Sequence, residues 1–290
     1  MQMDSDKRST AVWAKDHPVA AGFAVVLIYI AFRRLTYFVF RDLLTPTFPV
    51  KFVHEIVDVI WPFATVLAFG CTDAYKNGKG RFVKTIVIGI PLVFYFLYGV
   101  AGSIFKLSEI SSLEWKTPPM MLFEAVTMLF VGFREESLFR GIAVNLLSGR
   151  FCKDRRGILL TTALGAFFFG IMHMQNLVLG QSFEATVAQS VNAAFVGSVF
   201  VAVYLRGGNL WAMMILHAFI DASLMFTTLF VKSSQDDAIG YIANNKQTYD
   251  TATIIGKVGL CVLCLVVTLF ILRKSKCEEI TERFANKIIG

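Results

Sequence analysis

Charged residues are scarce in this chain, at 17% of 290 residues, whereas ordinary soluble proteins contain about 25%. The five cysteines do not form the paired Cys-x-x-Cys frame of a structural metal site. A disordered chain, a disulfide-rich secreted module and a typical cytosolic enzyme are therefore excluded. Hydrophobic residues instead reach 56%, with 28 phenylalanines. This balance predicts an all-α integral membrane protein.

Long apolar runs predict about eight transmembrane helices, because a span needs about 20 apolar residues. The runs cover 18–40, 52–70, 82–104, 119–147, 158–179, 183–205, 210–231 and 252–272. Arg33 and Arg34 interrupt the first run, which predicts that this segment is partly interfacial or that its helix ends early. We divide the chain into an N-terminal three-helix membrane region (1–118), a core (119–231) and a linker with the last helix and a basic tail (232–290).

The loops between these runs differ in their content of Lys and Arg. Seventeen of these residues lie on one side, and six lie on the other. Cytoplasmic loops carry the excess, so both termini are expected in the cytoplasm. The net charge of +7 is then a topology signal, and we expect membrane lipids rather than nucleic acid as surroundings. The basic side consists of residues 7–15, 76–84, 150–156, 206 and 273–287.

The densest group of charges inside a predicted span comprises Arg134, Glu135, Glu136 and Arg140. A charge at the bilayer centre costs at least about 2.5 kcal/mol, so such residues are usually paired, face a cavity or are functional. Glu136 and Arg140 share a helix face and predict an ion pair. Glu135 lies about 100° round the helix, which makes it the better candidate for a general base. The alternative is a salt-bridged helix pair that only fixes packing.

Two of the four histidines also lie within predicted spans. His173 follows Phe169 by four residues, and His217 precedes Asp221 by four, so each pair shares a helix face. A lone histidine in a membrane helix is more often a packing residue. Two histidines together with Glu135 instead supply a base, a proton carrier and hydrogen-bond donors for an oxyanion. These are the groups that water attack on a buried amide requires.

In this order the residues resemble the three motifs of the CAAX-protease and bacteriocin-processing (CPBP, or Abi) intramembrane proteases. EExxxR is matched by Glu135, Glu136 and Arg140, FxxxH by Phe169 and His173, and HxxxN/D by His217 and Asp221. The resemblance covers roughly residues 119–225 and implies an intramembrane endopeptidase with an intramembrane cavity. It implies a membrane-bound or prenylated peptide as substrate.

The resemblance also implies a role for each motif residue. Glu135 would activate water with help from His173, while His217 and Asp221 would stabilise the oxyanion. Glu136, Arg140 and Phe169 would organise the site. Many family members carry Asn where this chain has Asp221, and an ionised carboxylate only accepts hydrogen bonds. Asp221 would then orient His217 so that the imidazole donates.

A zinc site is the alternative chemistry for the same residues. Glu135, His173 and His217 would form a catalytic His₂Glu ligand set for Zn²⁺. The chain contains no His-Glu-x-x-His segment, and we expect a metal-free glutamate mechanism without a cofactor. Two other classes of function stay open. One is a proton-coupled transporter, although no inverted repeat is visible; the other is a non-catalytic peptide-binding immunity or scaffold protein, as in bacteriocin immunity.

Further expectations concern the site's surroundings. The position of His217, near the cytoplasmic end of its run, predicts a cavity that opens to the cytoplasm. His54, Glu55 and Asp58 predict interfacial contacts or a local ion pair. Gln189 and Asn192 are expected to face the cavity or to form hydrogen bonds across helices. The short chain favours a bacterial plasma membrane as its location.

Overall fold

The computed structural model of the chain describes residues 10–41, 48–108, 114–232 and 251–285. Within these ranges the fold is helical, and the β pairing is a single isolated bridge between Trp115 and Val231. The α-helices are α1 (Pro18–Arg41), α2 (Phe48–Ala68), α3 (Asp73–Lys76), α4 (Phe82–Ile88), α5 (Ile90–Ser108), α6 (Pro118–Leu138), α7 (Asn145–Phe151), α8 (Arg155–Met172), α9 (Phe183–Gly207), α10 (Leu210–Leu224), α11 (Phe226–Phe230), α12 (Thr251–Ile271) and α13 (Lys274–Ala285).

Four of these helices contain segments that are long and apolar enough to cross a membrane. Helices α4 and α5 make a fifth candidate span if the bent pair counts as one. The all-α membrane architecture predicted from composition is therefore present, whereas the count of eight spans stays a prediction. The four segments are Pro18–Thr36, Arg155–Leu177, Phe183–Gly207 and Thr253–Ile271.

Breaks divide three of the predicted spans. The run 82–104 bends by 60° between α4 and α5. The run 119–147 is not one regular helix, because a π-helical segment, Phe139–Val144, joins α6 to α7. The run 210–231 ends as a regular helix at Leu224, and α11 follows after Met225. Segments of π-helix are rare and are frequently found at functional sites, and this one begins three residues after Glu136 and contains Arg140.

Helix α6 lies at the centre of the bundle, where it packs against α2 on one side and α10 on the other. Gly132 permits the close approach to α10, since a Cβ at this position would lie 2.5 Å from the backbone oxygen of Met214. Helix α9 packs against α8 and α12. The second half of α6 is thereby enclosed, so that residues 134–144 are all buried. The charged motif consequently lies in the interior of the protein.

The basic segments meet at one end of the bundle, which we call the basic end and define as residues 76–84, 150–156, 206–209 and 273–285. Arg81 donates to the backbone oxygens of Arg206 and Gly207 and to Glu279 in α13. Arg283 donates to the backbone oxygen of Leu205, and α13 packs on α7 and α8. These contacts hold the loops and the C-terminal helix together as one surface.

A buried ion cluster joins the N-terminal helices to α6; the ion pair that was one of the two alternatives for Asp58 is present, and the early end expected for the first helix is not. Asp58 is fully buried rather than interfacial, and it accepts from Arg134 at 2.7 Å and from Arg33. Helix α1 continues past Arg33 to Arg41, and the Arg33 side chain forms an ion pair with Asp58 inside the bundle. Arg34 donates to the backbone oxygen of Gln175 at 3.1 Å. The side chains of His54 and Glu55 lie outside the described residues.

Replacing Asp58 with asparagine should strongly destabilise the fold. The substitution preserves the shape but removes the negative charge between two guanidinium groups, and breaking a buried pair costs about 3–5 kcal/mol. The unfolding free energy in detergent measures the effect. The matched control is Glu279→Gln, which removes a partly exposed partner of Arg81 and Lys84 and should cost less than about 1 kcal/mol. Equal losses in the two variants would contradict the role assigned to Asp58.

Candidate active site

A cavity of about 450 Å³ is lined by residues from each of the three sequence motifs. Its wall includes Glu135, His173, His217 and Asp221 together with Phe169. Counted along the predicted runs 119–147, 158–179 and 210–231, Glu135 and the two histidines lie at different depths in the membrane. The structure brings them together because α8 ends at Met172 and His173 starts a 3₁₀ turn, while His217 lies midway along α10. All four ionisable residues therefore face one space.

Glu136 lies behind this cavity and fixes two of its neighbours. Its Oε1 accepts from Arg140 at 2.8 Å and from His217 Nδ1 at 2.7 Å, and the side chain is fully buried. The ion pair predicted from the four-residue spacing is thus present. An ionised carboxylate only accepts, so Nδ1 of His217 carries a proton. The other ring nitrogen, Nε2, then points toward the cavity carboxylates.

Glu135 is the carboxylate that faces the cavity. Its Oε1 accepts a hydrogen bond of 2.8 Å from the hydroxyl of Tyr29 in α1. Its Oε2 lies 3.5 Å from Nε2 of His217, which is too long for a strong hydrogen bond and too short for a water molecule to lie between the two atoms. Glu135 therefore has one oxygen fixed by a phenol and the other available beside an imidazole.

Asp221 approaches the same imidazole nitrogen from the other direction. Its Oδ2 lies 3.6 Å from Nε2 of His217, which is too long for a direct hydrogen bond. This oxygen is buried and has no hydrogen-bond partner among the described residues. The ring of His217 is thus oriented directly by Glu136, and Asp221 is aimed at the nitrogen that faces the cavity.

Phe169 organises the aromatic side of the site. Its ring lies between the two imidazoles, with centroids 5.2 Å from His173 and 5.7 Å from His217. The guanidinium of Arg140 lies 4.6 Å from the same ring centroid, a cation–π distance. The backbone oxygen of Phe169 contacts Nδ1 of His173 at 2.9 Å. This contact assigns the proton to Nδ1 and leaves the lone pair of His173 on Nε2.

The polar residues of α9 contribute in both of the ways expected. Gln189 accepts from Asn176 at 2.8 Å, and Asn192 contacts the thiol of Cys261 in α12 at 3.2 Å. Both side chains also line the cavity. They therefore join the cavity wall to the neighbouring segments.

No group of three His, Cys, Asp and Glu side chains is arranged to hold a metal ion in the part of the chain that the structure describes. The proposed ligands Glu135, His173 and His217 share the cavity, but Nδ1 of each histidine is already engaged. Zinc ligation would have to use Nε2 of both rings. The absence of a cofactor stays a prediction.

The cavity occupies the half of the bundle that lies away from the basic end. Its wall comes from the end of α8 and the segment after it, the start of α9, the last turns of α10 and the first turns of α12. The basic end contains the opposite ends of these helices. The cavity and the basic end therefore lie at opposite ends of these helices, while the cytoplasmic opening and the cytoplasmic termini both stay predictions.

A second, apolar cavity of about 600 Å³ adjoins the first between α5, α9 and α12. The residues that line both cavities are Tyr95, Val196, Lys257 and Leu260. Several residues along the apolar cavity are strongly exposed on the outer surface, including Phe94, Tyr98 and Leu263. We call it the lateral groove, because in a bilayer this surface faces lipid.

Sequence reasoning missed Tyr29 and underestimated Asp58. Tyr29 is 2% exposed and contacts Glu135 across 106 positions of sequence, so no local spacing could have indicated it. For Asp58 a signal existed: Arg33 and Asp58 are opposite charges in neighbouring apolar runs. Both residues belong to helices that precede the core predicted from the motifs.

The central part of the chain matches the model of a known protein family. Residues 117–223 match the family model described as "Type II CAAX prenyl endopeptidase Rce1-like". The recognition made from the three motifs is thereby confirmed. Comparisons with curated proteins and with solved structures returned no match. The matched segment runs from the start of α6 almost to the end of α10, and so contains every motif residue.

Replacing Tyr29 with phenylalanine should slow hydrolytic turnover while leaving substrate affinity nearly unchanged. The ring packing on Trp61 and Phe139 is kept, but the hydrogen bond to Glu135 is lost. A hydrogen bond to a charged group is worth about 1.5–3 kcal/mol, so kcat should fall by about 10- to 100-fold. Measurement of kcat and KM separately tests this. A change confined to KM would show that Tyr29 acts on substrate binding and does not position Glu135.

Proposed function

With residues 117–223 matching the Rce1-like family, we propose that the chain is an intramembrane endopeptidase in which Glu135 activates water. The observation that supports this mechanism is the pairing of Glu135 with an imidazole that another carboxylate has already oriented. Nε2 of His217 lies 3.5 Å from Glu135 and 3.6 Å from Asp221. A water molecule on the cavity side of these atoms, beside both Glu135 and Nε2 of His217, would contact a base and a hydrogen-bonding ring at once.

In the proposed reaction Glu135 accepts a proton from this water as the oxygen attacks the carbonyl carbon of the scissile peptide bond. The tetrahedral intermediate places negative charge on the former carbonyl oxygen. Collapse of the intermediate breaks the C–N bond, and Glu135 returns the proton to the leaving amine. Tyr29 fixes the Glu135 carboxylate throughout, while the Nε2 lone pair of His173 serves as a further acceptor for the attacking water.

The oxyanion requires a donor, and His217 is the best-placed group when its ring is protonated. Glu136 and Asp221 both contact or approach this ring, and two carboxylates stabilise an imidazolium. Nε2 of the protonated ring then donates to the oxyanion. Preorganised donors of this kind contribute several kcal/mol to acyl-transfer catalysis. In this scheme Asp221 supports the charge on His217 and does not itself donate.

The proposed substrate is a membrane-bound peptide, and prenylated peptides are the class that the family description names. The lateral groove supports a lipid-attached substrate, because it is apolar, adjoins the catalytic cavity and faces the membrane. An apolar chain in the groove would leave the attached peptide beside Glu135. We place the enzyme in a cell membrane and propose a bacterial plasma membrane for it.

Substitution of Glu135 by glutamine should abolish peptidase activity, with a loss of at least about a thousandfold, because an amide cannot accept the proton of water. Hydrolysis of a prenylated reporter peptide by the purified protein measures this. The matched control is Glu184→Gln, which removes an exposed carboxylate on α9 and should leave the rate unchanged. Full biological activity of a folded Glu135 variant would instead favour the immunity or scaffold function, and proton-coupled uptake in liposomes would favour a transporter.

Exhaustive chelation tests the metal-free mechanism. If side chains alone activate water, the purified enzyme should retain its full rate after treatment with chelators and dialysis. Loss of activity that zinc restores would overturn this mechanism in favour of the ligand set Glu135, His173 and His217. The Tyr29→Phe variant should respond to chelation like the wild type.

A further inference from the structure

Buried side chains fill the space between the proposed catalytic residues and the basic end of the bundle. Leu138, Phe139 and Ile142 lie on either side of Arg140 and are at most 1% exposed, as are Leu210 and Met213 of α10. The hydroxyl of Tyr75 closes the adjoining position by a hydrogen bond of 2.9 Å to Ser137. The described residues therefore form a packed, buried apolar layer between Glu135 and the basic end.

The opposite half of the bundle carries the wall of the cavity and a polar rim. The rim is formed by the segment between α8 and α9 together with the second half of α1, which place Gln175, Gln181, Arg33 and Arg34 on the cavity surface. Helix α8 begins at Arg155 in the basic end, and His173 follows 18 positions later. At 1.5 Å per residue this is about 27 Å, close to the thickness of a bilayer core.

The orientation of the bundle follows from the distribution of positive charge. The basic end carries 13 of the loop Lys and Arg residues, the sequence at 7–15 and Lys287 adds four, and the other side carries six. Such an excess marks the cytoplasmic side. The hydrogen bonds of Arg81 and Arg283 across this end show that segments distant in sequence lie on the same side. The described residues of the basic end therefore form one basic surface.

We infer that the catalytic cavity opens on the non-cytoplasmic side of the membrane. Resting on the proposed peptidase function, this assigns the substrate to a class: a peptide that is anchored in the non-cytoplasmic leaflet or delivered there by export. The lateral groove fits that placement, because Lys257 and Leu260, which join it to the catalytic cavity, lie in the first half of α12, away from the basic end. This inference replaces the expectation that the cavity opens to the cytoplasm.

Two cysteine substitutions test the orientation. Glu184 lies exposed in the first turn of α9 beside the rim, and Lys153 lies exposed in the basic end. Each is replaced by cysteine in the full chain, produced in a bacterial host and treated in spheroplasts with a membrane-impermeant maleimide. Labelling of Glu184→Cys should be complete before permeabilisation, while Lys153→Cys should be labelled only afterwards. The wild type is the control, because four of its five cysteines are buried and Cys261 is partly so.

The reverse pattern, with Lys153→Cys labelled in intact spheroplasts, would overturn the inference and restore a cytoplasmic opening with inverted termini. Labelling of both positions before permeabilisation would overturn it as well, since the two sites would not be separated by a membrane. The experiment does not depend on catalysis. Repeating it in the Glu135→Gln background should give the same pattern, so failure of the peptidase function and failure of the orientation are distinguishable.

Discussion

The carboxylate of Glu136 is the contact on which the rest of the site depends. It is fully buried and accepts from a guanidinium on its own helix and from an imidazole on α10. A single oxygen thus ties the charged motif to the second histidine and determines which nitrogen of that histidine faces the cavity. Arg140 in turn lies over the ring of Phe169, which contacts both imidazoles. Removing the charge of Glu136 would deprive Arg140 of its carboxylate partner and His217 of the contact that orients its ring.

Much of this site could be predicted from sequence because charged side chains are energetically unfavourable in the apolar interior of a membrane. Four ionisable residues within seven positions of an apolar segment require partners or a function, and the spacing of Glu136 and Arg140 correctly predicted their ion pair. The same reasoning could not predict that Glu136 would orient His217, because that contact joins two helices separated by 81 positions. Spacing along one helix suggested Asp221 for this task, since it lies one turn from His217.

The bend between α4 and α5 and the π-helical segment were also beyond sequence reasoning. Hydropathy measures how apolar a run is and does not register a change of helix direction or type. Tyr29 and Asp58 show a related limit, because the first two helices were recognised only as hydrophobic. They lie outside the matched residues 117–223, yet one donates to Glu135 and the other accepts from Arg134. The functional unit is therefore larger than the segment that carries the motifs.

The π-helical segment Phe139–Val144 has a geometric consequence for everything that follows it. One extra residue in a helical turn rotates the succeeding residues by about 100° relative to a regular helix. Residues before the segment can therefore present their polar face to the cavity, while the residues of α7 present an apolar face to α8. A single chain segment serves two unrelated surfaces in this way without a loop. An insertion or deletion within these six residues would therefore rotate the apolar face of α7 relative to the polar face of α6, and we expect it to be poorly tolerated.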